Sequence, residues 1–199
     1  MKDQKRKIIL DAATKLFAEK GFEITTTREI ARAAQISNAA LYYYFDSKED
    51  ILYQILDDTI TTGLELIKKI GTSQKTLKKK LSSILRMHTR NAVDYNKMKL
   101  LVHDQKSLSP EHKKLLDKKQ EDYVGFLIRI LNNLKKRGEI IDINTKVCAF
   151  AFFGMVSWAY RWYNPKGRIK PGELSKIFNQ IFTKGIFLNS KKLSSLNET

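Results

Sequence analysis

The sequence lacks most of the residue patterns that carry covalent or metal chemistry. It has one cysteine, Cys148, in 199 residues, which excludes an internal disulfide framework and fits a reducing compartment. His88, His103 and His112 do not have the spacing of metal ligands, and neither a nucleophile–base pair nor a glycine-rich phosphate loop is present in the sequence. These absences argue against an enzyme, and we expect neither a metal nor a cofactor.

Long uncharged runs are also missing. The longest nearly uncharged run, 147–160, is too short to span a membrane, and the first residues, MKDQKRKIILDAATKLF, contain no apolar signal core. A hydrophobic content of 42% and a charged content of 29% are typical of a globular chain. We therefore predict a soluble cytoplasmic protein that does not enter a membrane.

Acidic residues are scarce, and the formal net charge is +16. Such a charge favours an anionic partner: nucleic acid, an acidic membrane surface or a phosphorylated small molecule. Residues 1–50 hold nine Lys or Arg and eight Asp or Glu, whereas 51–199 hold 28 and 13. The excess is either a set of solvated lysine-rich helix faces or a sign of an anionic ligand, and the sequence leaves both open.

Apolar residues recur with helical spacing along the chain, and no segment alternates as a strand would. The pattern predicts an all-α fold of about nine helices. Capping signals at Thr26, Ser37 and Ser47 mark the starts of helices two, three and four. Ser109-Pro110 opens a long helix that ends at Gly138.

The helices are expected to form two domains. A small helix-turn-helix domain of three helices covers 1–46, a larger helical domain covers 47–188, and 189–199 form a disordered tail. Within the larger domain, 95–106 are predicted only as a short, poorly determined segment, and 145–163 as the most apolar helix.

The helix-turn-helix prediction depends on three consecutive tyrosines, Tyr42–Tyr44, which follow a short turn. Leu41 and Phe45 are four residues apart and face the preceding helices as core, so that Tyr42 and Tyr43 point outward. In a helix that lies in the DNA major groove, a phenol can bond a phosphate while its ring contacts a thymine methyl.

The first quarter of the chain resembles the DNA-binding domain of the TetR family of one-component regulators. The residues that carry the resemblance are Phe17, Gly21, Thr26, Ile30, Ala31, Ala34, Ser37, Leu41, Tyr42, Tyr44, Phe45, Ser47, Lys48 and Leu52. The resemblance implies a homodimer that binds a palindromic double-stranded operator and is released from it by a small effector. The predicted DNA-binding residues are Thr27, Arg28, Ser37, Asn38, Ala39, Tyr42, Tyr43, Tyr44 and Lys48.

The turn departs from the family at Gln35, where glycine is usual because the backbone there often needs a positive φ. A glutamine adopts that geometry at a cost of roughly 1 kcal/mol. The family also implies a four-helix dimer bundle from the last two helices of each subunit. The predicted dimerisation residues are Phe150, Phe153, Ser157, Tyr160, Phe178, Ile181, Phe182 and Gly185.

The segment GMVSWAYRWYNPKGRIKPGEL more weakly resembles family members that respond to acyl-CoA thioesters. The resemblance lies in Trp158, Arg161, Trp162, Tyr163, Pro165 and Gly167. The predicted effector-binding residues are Leu85, Met87, Tyr123, Phe126, Leu127, Phe152, Met155, Trp158 and Arg161. Apolar side chains suit an acyl chain and basic groups suit the phosphates of coenzyme A.

Two alternatives stay open at this stage. A multidrug-type repressor for lipophilic cations needs carboxylates among its aromatic residues, and only Glu121 and Asp122 lie near the aromatic stripe. A nonspecific basic protein that binds nucleic acid or a membrane surface would account for the charge, but not for two capping signals that frame a three-residue turn.

Overall fold

The structure is a computed structural model that describes residues 2–92 and 94–188. Within these residues it has nine α-helices: α1 (Lys2–Lys20), α2 (Thr27–Ala33), α3 (Asn38–Tyr44), α4 (Lys48–Thr72), α5 (Leu77–Asn91), α6 (Tyr95–His103), α7 (Pro110–Lys136), α8 (Thr145–Ser157) and α9 (Pro171–Ile186). The predicted all-α class is confirmed. The tail predicted to be disordered, 189–199, lies outside the described residues.

The helices group into two compact units. The first comprises Met1–Gly63 and Asp94–Gln120, and the second comprises Leu64–Val93 and Glu121–Thr199. Helices α4 and α7 each begin in the first unit and end in the second. These bounds differ from the predicted boundary after residue 46, because α6 and the start of α7 belong with the N-terminal helices. The functional division at that residue stays a prediction.

Local capping explains where the first short helices begin. The Thr26 hydroxyl accepts a hydrogen bond from the Glu29 amide, and the Glu29 carboxylate accepts one from the Thr26 amide. This reciprocal pair satisfies two amides that the first turn of α2 leaves unpaired. The Ser37 hydroxyl accepts from the Ala40 amide at 3.0 Å in the same way at the start of α3. Both starts were predicted from sequence.

Two segments differ from the sequence-based expectation. The poorly determined segment 95–106 contains α6, whose first turn is capped by the Asp94 carboxylate at the Lys97 amide, and a short 3-10 helix at Gln105–Ser107. The apolar helix predicted over 145–163 ends at Ser157, and a 3-10 helix follows. There the Trp162 and Tyr163 amides both donate to Ala159, which tightens the backbone ahead of the Asn164–Gly167 turn.

Each unit has its own buried core. In the first unit, side chains from α1, α2, α3 and α4 are almost fully buried, among them Phe17, Ile30, Leu41, Phe45 and Leu52. In the second, the core draws on α5, α7, α8 and α9 through Leu81, Leu85, Leu127, Leu131, Phe152, Val156 and Phe178. No helix among the described residues is long and apolar enough to cross a membrane.

Candidate DNA interface and effector site

The recognition helix α3 is fixed by its core side. Leu41 and Phe45 are buried, and the Phe45 amide donates to the Leu41 carbonyl to end the helix. With these two residues inward, successive positions between them point away from the core. Tyr43 is 70% exposed and Tyr42 is 48% exposed, as the spacing predicted.

The three tyrosines are not equivalent. The Tyr42 and Thr27 hydroxyls lie 3.3 Å apart and share a hydrogen bond, which ties α3 to the first residue of α2. The Tyr43 and Tyr44 rings meet edge to face, with centroids 5.1 Å apart, and Tyr44 is half-buried. Tyr43 therefore presents the most accessible phenol of the helix, supported from the side by Tyr44.

The start of α2 is stabilised by an ion pair at its capping box. Lys20 donates to the Glu29 carboxylate at 2.6 Å, and this contact, with the Thr26 hydrogen bonds, lowers the pKa of Glu29 to about 2. The carboxylate therefore stays ionised at any physiological pH. Lys20 thus holds the end of α1 against α2, and its charge is balanced locally.

The residues predicted to contact bases differ in how accessible their side chains are. Arg28 and Ala39 are exposed. The Oδ1 atom of Asn38 is buried, and it has no hydrogen-bond partner in the described part of the chain. A bidentate contact to adenine uses both polar atoms of the amide, so the Asn38 side chain must reorient before it can make one.

Lys48 has a role in the fold that the sequence did not reveal. Its ammonium donates to the Phe22 carbonyl at 2.8 Å and to the Glu23 carbonyl at 3.0 Å, and it lies 4.4 Å from the centroid of the Phe22 ring. Two of its three protons therefore hold the loop between α1 and α2 to the start of α4. The phosphate contact predicted for Lys48 stays a prediction.

Arg6 supports α3 from its other end. One guanidinium nitrogen donates to the Tyr44 carbonyl at 3.2 Å, and the group lies 4.5 Å from the centroid of the Phe45 ring. The contact joins residues 38 positions apart, so no local pattern could have indicated it. A cation at the C-terminal end of a helix stabilises its unpaired carbonyls.

Gln35 has the backbone geometry that its position in the turn requires. Its φ is +56°, the single left-handed value outside glycine in the described ranges. Its amide donates to Arg32 at 3.1 Å, and the next amide, that of Ile36, donates to Ala31 at 3.0 Å. The positive φ expected at this turn is therefore present.

The second unit contains a partly buried polar pair inside an aromatic cluster. His88 Nδ1 and the Tyr123 hydroxyl are 2.8 Å apart and hydrogen-bonded, and the rings of Phe153, Phe152 and Phe182 complete the group. We call these five residues the aromatic cluster. The His88 ring centroid lies 4.9 Å from that of Phe153 and 5.6 Å from that of Phe152, and Phe152 contacts Phe182 at 5.2 Å.

His88 is the most unusual member of the cluster. Its Nε2 atom is buried and has no hydrogen-bond partner among the described residues. Burial lowers the pKa of His88 to about 4 and raises that of Tyr123 above its ordinary value, because removal from water disfavours the charged form of each group. The sequence showed His88 as a polar residue on an apolar helix stripe, but it was not among the predicted effector residues.

The predicted effector residues divide into several groups. Tyr123 and Phe152 belong to the aromatic cluster, and Leu85 and Leu127 are buried in the core. Three others are elsewhere. The Phe126 ring packs so closely on Gly71 that a Cβ there would overlap it. Met87 lines a groove between α5 and α9, and Met155 is half-buried on α8.

Trp158 and Arg161 do not enter the interior of the unit. Trp158 is 56% exposed, and the Arg161 guanidinium lies 4.5 Å from the centroid of its indole ring. Arg161 also donates to the Tyr160 hydroxyl at 3.0 Å. Both side chains pack together on the surface of the unit, and their part in effector binding stays a prediction.

Comparison with known proteins identifies the family. The profile of the bacterial regulatory proteins of the tetR family matches residues 9–55, and that of the tetracyclin repressor-like C-terminal domain matches residues 74–186, more than half of the chain. The chain belongs to the TetR family. It is a helix-turn-helix transcription regulator, and the first match contains every residue predicted to contact DNA.

Individual relatives of this TetR-family chain extend over most of its length. It is 31% identical over 195 residues to the HTH-type transcriptional repressor KstR2 of Rhodococcus jostii, covering 93% of this chain and 92% of that protein. It is 28% identical over 153 residues to the fatty acid metabolism regulator protein of Bacillus subtilis, covering 74% and 77%. The structure of AibR in complex with isovaleryl coenzyme A and operator DNA shares the fold, with a TM-score of 0.80, 24% identity and coverage of 89% and 97%.

The residues predicted to form the TetR-family dimer bundle lie on two different sides of α8 and α9. Phe150 is 53% exposed, Ile181 is 57% exposed, and Gly185 also faces outward; Ser157 is half-buried. Four others are covered within the unit: Tyr160, Phe178 and Phe182 are buried, and Phe153 contacts His88. The dimer contacts stay a prediction, which the exposed positions fit better than the covered ones.

Proposed function

We propose that the chain is a dimeric repressor that binds a palindromic operator through α3 and is released by a fatty acyl-CoA. The observation that carries the effector part is the buried, unpartnered Nε2 of His88 within the aromatic cluster. A buried polar atom without a partner is costly, so it marks a place where a ligand atom completes the hydrogen bonding. The thioester carbonyl of an acyl-CoA would supply an acceptor for that atom when it carries the imidazole proton.

The DNA part of the proposal is supported by the outward face of α3. Tyr42 and Tyr43 are exposed there, and Arg28 on α2 is exposed as well. A helix-turn-helix domain this small makes few contacts with DNA. Tight specific binding therefore needs a dimer that binds two half-sites about 34–36 Å apart. The related protein KstR2 is named a transcriptional repressor, which supports the proposal that this chain represses rather than activates transcription.

The aromatic cluster favours a neutral or anionic effector over a lipophilic cation. A buried cation requires a carboxylate close by, yet burial is the only influence on the pKa values of His88 and Tyr123. Glu121 and Asp122, the acids closest in sequence to Tyr123, are both exposed. The acyl-CoA proposal is also supported by the likeness to a fatty acid metabolism regulator and to the fold of a protein bound to isovaleryl coenzyme A.

Helices α4 and α7 offer a route by which effector binding releases the operator. Within the first unit, Lys119 of α7 donates to the Asp57 carboxylate of α4 at 2.6 Å, and His112 of α7 lies 2.9 Å from the Glu49 carboxylate. Both helices then continue into the second unit, where Tyr123 follows Lys119 by one turn of α7. An effector that binds one arrangement of α7 more tightly than another would shift α7 toward that arrangement. The contacts between α7 and α4 would then shift α4, whose first residue, Lys48, is a predicted DNA contact.

The dimer is supported by large apolar side chains that are exposed in the described part of the chain. They are Val147 and Phe150 on α8, Trp158 and Trp162 after it, and Ile181 on α9. Exposed apolar patches are typical of protein interfaces. A face-to-face contact between α8 and α9 of two chains would cover them.

The function is tested with DNA selected by the full-length protein from a random pool. We expect an inverted repeat, bound far more tightly than random DNA at physiological salt. Addition of palmitoyl-CoA should weaken that binding by about tenfold or more, which corresponds to about 1.4 kcal/mol of coupling, whereas free coenzyme A and the cation ethidium should not. Release by ethidium and not by the thioester would favour the multidrug alternative, and equal binding to random DNA would favour a nonspecific binder.

A variant ties the response to the aromatic cluster. His88→Phe keeps an aromatic ring but removes both ring nitrogens, so we expect normal operator binding and a response to palmitoyl-CoA reduced by about tenfold. His103→Phe, at an exposed position of α6, is the matched control and should respond as the unaltered protein does. An unchanged response in His88→Phe would remove His88 from the effector site.

A further inference from the structure

A cationic groove lies between α5 and α9, apart from the aromatic cluster. Its cavity has a volume of about 640 Å³, within the range of small-molecule sites. Its walls combine basic, hydroxyl and amide groups with one thioether: Ser83, Arg86, Met87, Arg90, Asn91, Gly172, Ser175 and Lys176. We call this the α5–α9 groove.

The charge of the groove is of one sign. Arg86, Arg90 and Lys176 contribute three cations and the lining contains no Asp or Glu. No acidic side chain in the described part of the chain forms an ion pair with any of the three. Three like charges around one cavity repel each other, so the arrangement is stabilised when an anion lies among them.

The backbone that carries these cations is rigid. Arg86 and Arg90 are four residues apart and share one face of α5, while Gly172, Ser175 and Lys176 share one face of α9. The Ser175 hydroxyl donates to the Arg86 carbonyl at 3.0 Å and joins the two helices at the middle of the groove. The two arginines are thus carried on the fixed backbone of a helix rather than on a loop.

We propose that the α5–α9 groove binds the phosphate groups of a small phosphorylated metabolite. Two guanidinium groups present parallel N–H donors that match phosphate oxygens, and an ammonium adds a third positive charge. The multiple charge selects a pyrophosphate or a cluster of phosphates over a single carboxylate. The lining has no aromatic side chain for stacking a base, so recognition is directed at the phosphates.

This site goes beyond the proposed effector site. Arg86 and His88 are two residues apart on α5 and therefore point to different sides of the helix. The ligand of the groove is either a free phosphorylated metabolite or the nucleotide part of a coenzyme A thioester. Both present the same phosphate chemistry, and binding measurements separate them.

The test uses isothermal titration of the full-length protein with inorganic pyrophosphate and, separately, with free coenzyme A. Arg86→Gln with Arg90→Gln should weaken pyrophosphate binding by about tenfold or more. Lys136→Gln with Arg137→Gln, which removes two exposed cations at the end of α7 in the same unit, is the matched control and should change it by less than about twofold. Thermal melts followed by circular dichroism confirm that both variants fold.

The outcomes separate this site from the proposed function. Absence of pyrophosphate binding to the unaltered protein, or an equal loss in both double variants, would overturn the groove as a site. A selective loss supports it, and parallel weakening of coenzyme A binding then identifies the nucleotide part of a thioester as a source of the phosphates. If palmitoyl-CoA fails to release DNA while the groove still binds pyrophosphate, the effector proposal fails and the groove stands.

Discussion

Replacement of Lys48 by methionine separates two roles of one ammonium group. In the fold, this group donates to the Phe22 and Glu23 carbonyls at 2.8 and 3.0 Å and lies over the Phe22 ring. At the DNA interface, the same group is predicted to contact a phosphate. Methionine keeps most of the stem and its packing but removes the charge and all three donors.

The structural role of Lys48 has a calculable magnitude. Hydrogen bonds to a charged group contribute about 1.5–3 kcal/mol each, and a partly exposed cation over an aromatic ring about 0.5–1 kcal/mol. Lys48 is only half-buried, so water replaces part of what is lost. We therefore expect Lys48→Met to lower the free energy of unfolding by about 2 kcal/mol, measured by urea denaturation.

The DNA role of Lys48 has a different signature. Each cation that neutralises a phosphate adds about 0.9 to the slope of log affinity against log salt concentration. A dimer has two copies of Lys48, so the variant should lower the magnitude of this slope by about 1.8. Fluorescence anisotropy with the selected operator at several salt concentrations measures it.

A control variant and two possible results test the two roles of Lys48. Lys15→Met removes the same charge from an exposed position of α1, and it should change stability by less than about 0.5 kcal/mol and leave the slope unaltered. A slope in Lys48→Met equal to that of the unaltered protein would refute the phosphate contact. Unaltered stability would refute the contribution of the two carbonyl bonds.

Three further measurements test other parts of the structure. Gln35→Gly should raise the free energy of unfolding by about 0.5–1 kcal/mol, since the relief of left-handed strain exceeds the added freedom of the unfolded chain. The control Ala33→Gly, in helical backbone, should lower it by about 1 kcal/mol. A lower stability of Gln35→Gly would contradict the strain at residue 35. The pKa of His88 is about 4 in the folded protein and ordinarily 6.5, so the unfolded state binds more protons between these two pH values. The free energy of unfolding should therefore fall by up to about 3 kcal/mol as the pH decreases from 6.5 to 4. His88→Phe should flatten this pH profile, and an equal fall in both proteins would assign the effect to another group. Phe150→Glu, on the exposed face of α8, should separate the dimer in sedimentation experiments, and an intact dimer would exclude this face from the interface.

The parts of the fold that depend on neighbouring residues were predictable from sequence. Thr26 and Ser37 each cap a helix through a residue three positions later, so the starts of α2 and α3 are encoded within a few residues. The positive φ of Gln35 followed from its place in the turn. The exposure of Tyr42 and Tyr43 followed from the core positions on either side of them.

The parts that depend on long-range packing were not predictable. The Arg6–Tyr44 contact joins residues far apart in sequence, and nothing local to Lys48 indicates that it binds carbonyls of an earlier loop. Helix α8 is apolar on nearly all sides, so periodicity could not tell which face is outward. On α9, Phe178 and Phe182 were predicted to lie on the dimer surface together with Ile181, but packing within the unit buries these two rings and leaves Ile181 exposed.

Several basic residues of the first unit hold its helices together. Arg6, Lys48 and Lys99 each donate to a backbone carbonyl, and Lys99 does so at 2.6 Å to Ala18, while Lys20 pairs with Glu29. Because residues 1–50 carry nearly balanced charge, little electrostatic attraction remains for DNA of arbitrary sequence. Nonspecific affinity depends on such attraction, so it should be weak, and operator recognition must come from the placed contacts of α3 and from dimer geometry. The excess of positive charge lies in the rest of the chain, where the α5–α9 groove concentrates three cations around one cavity, as a site for a small anion requires.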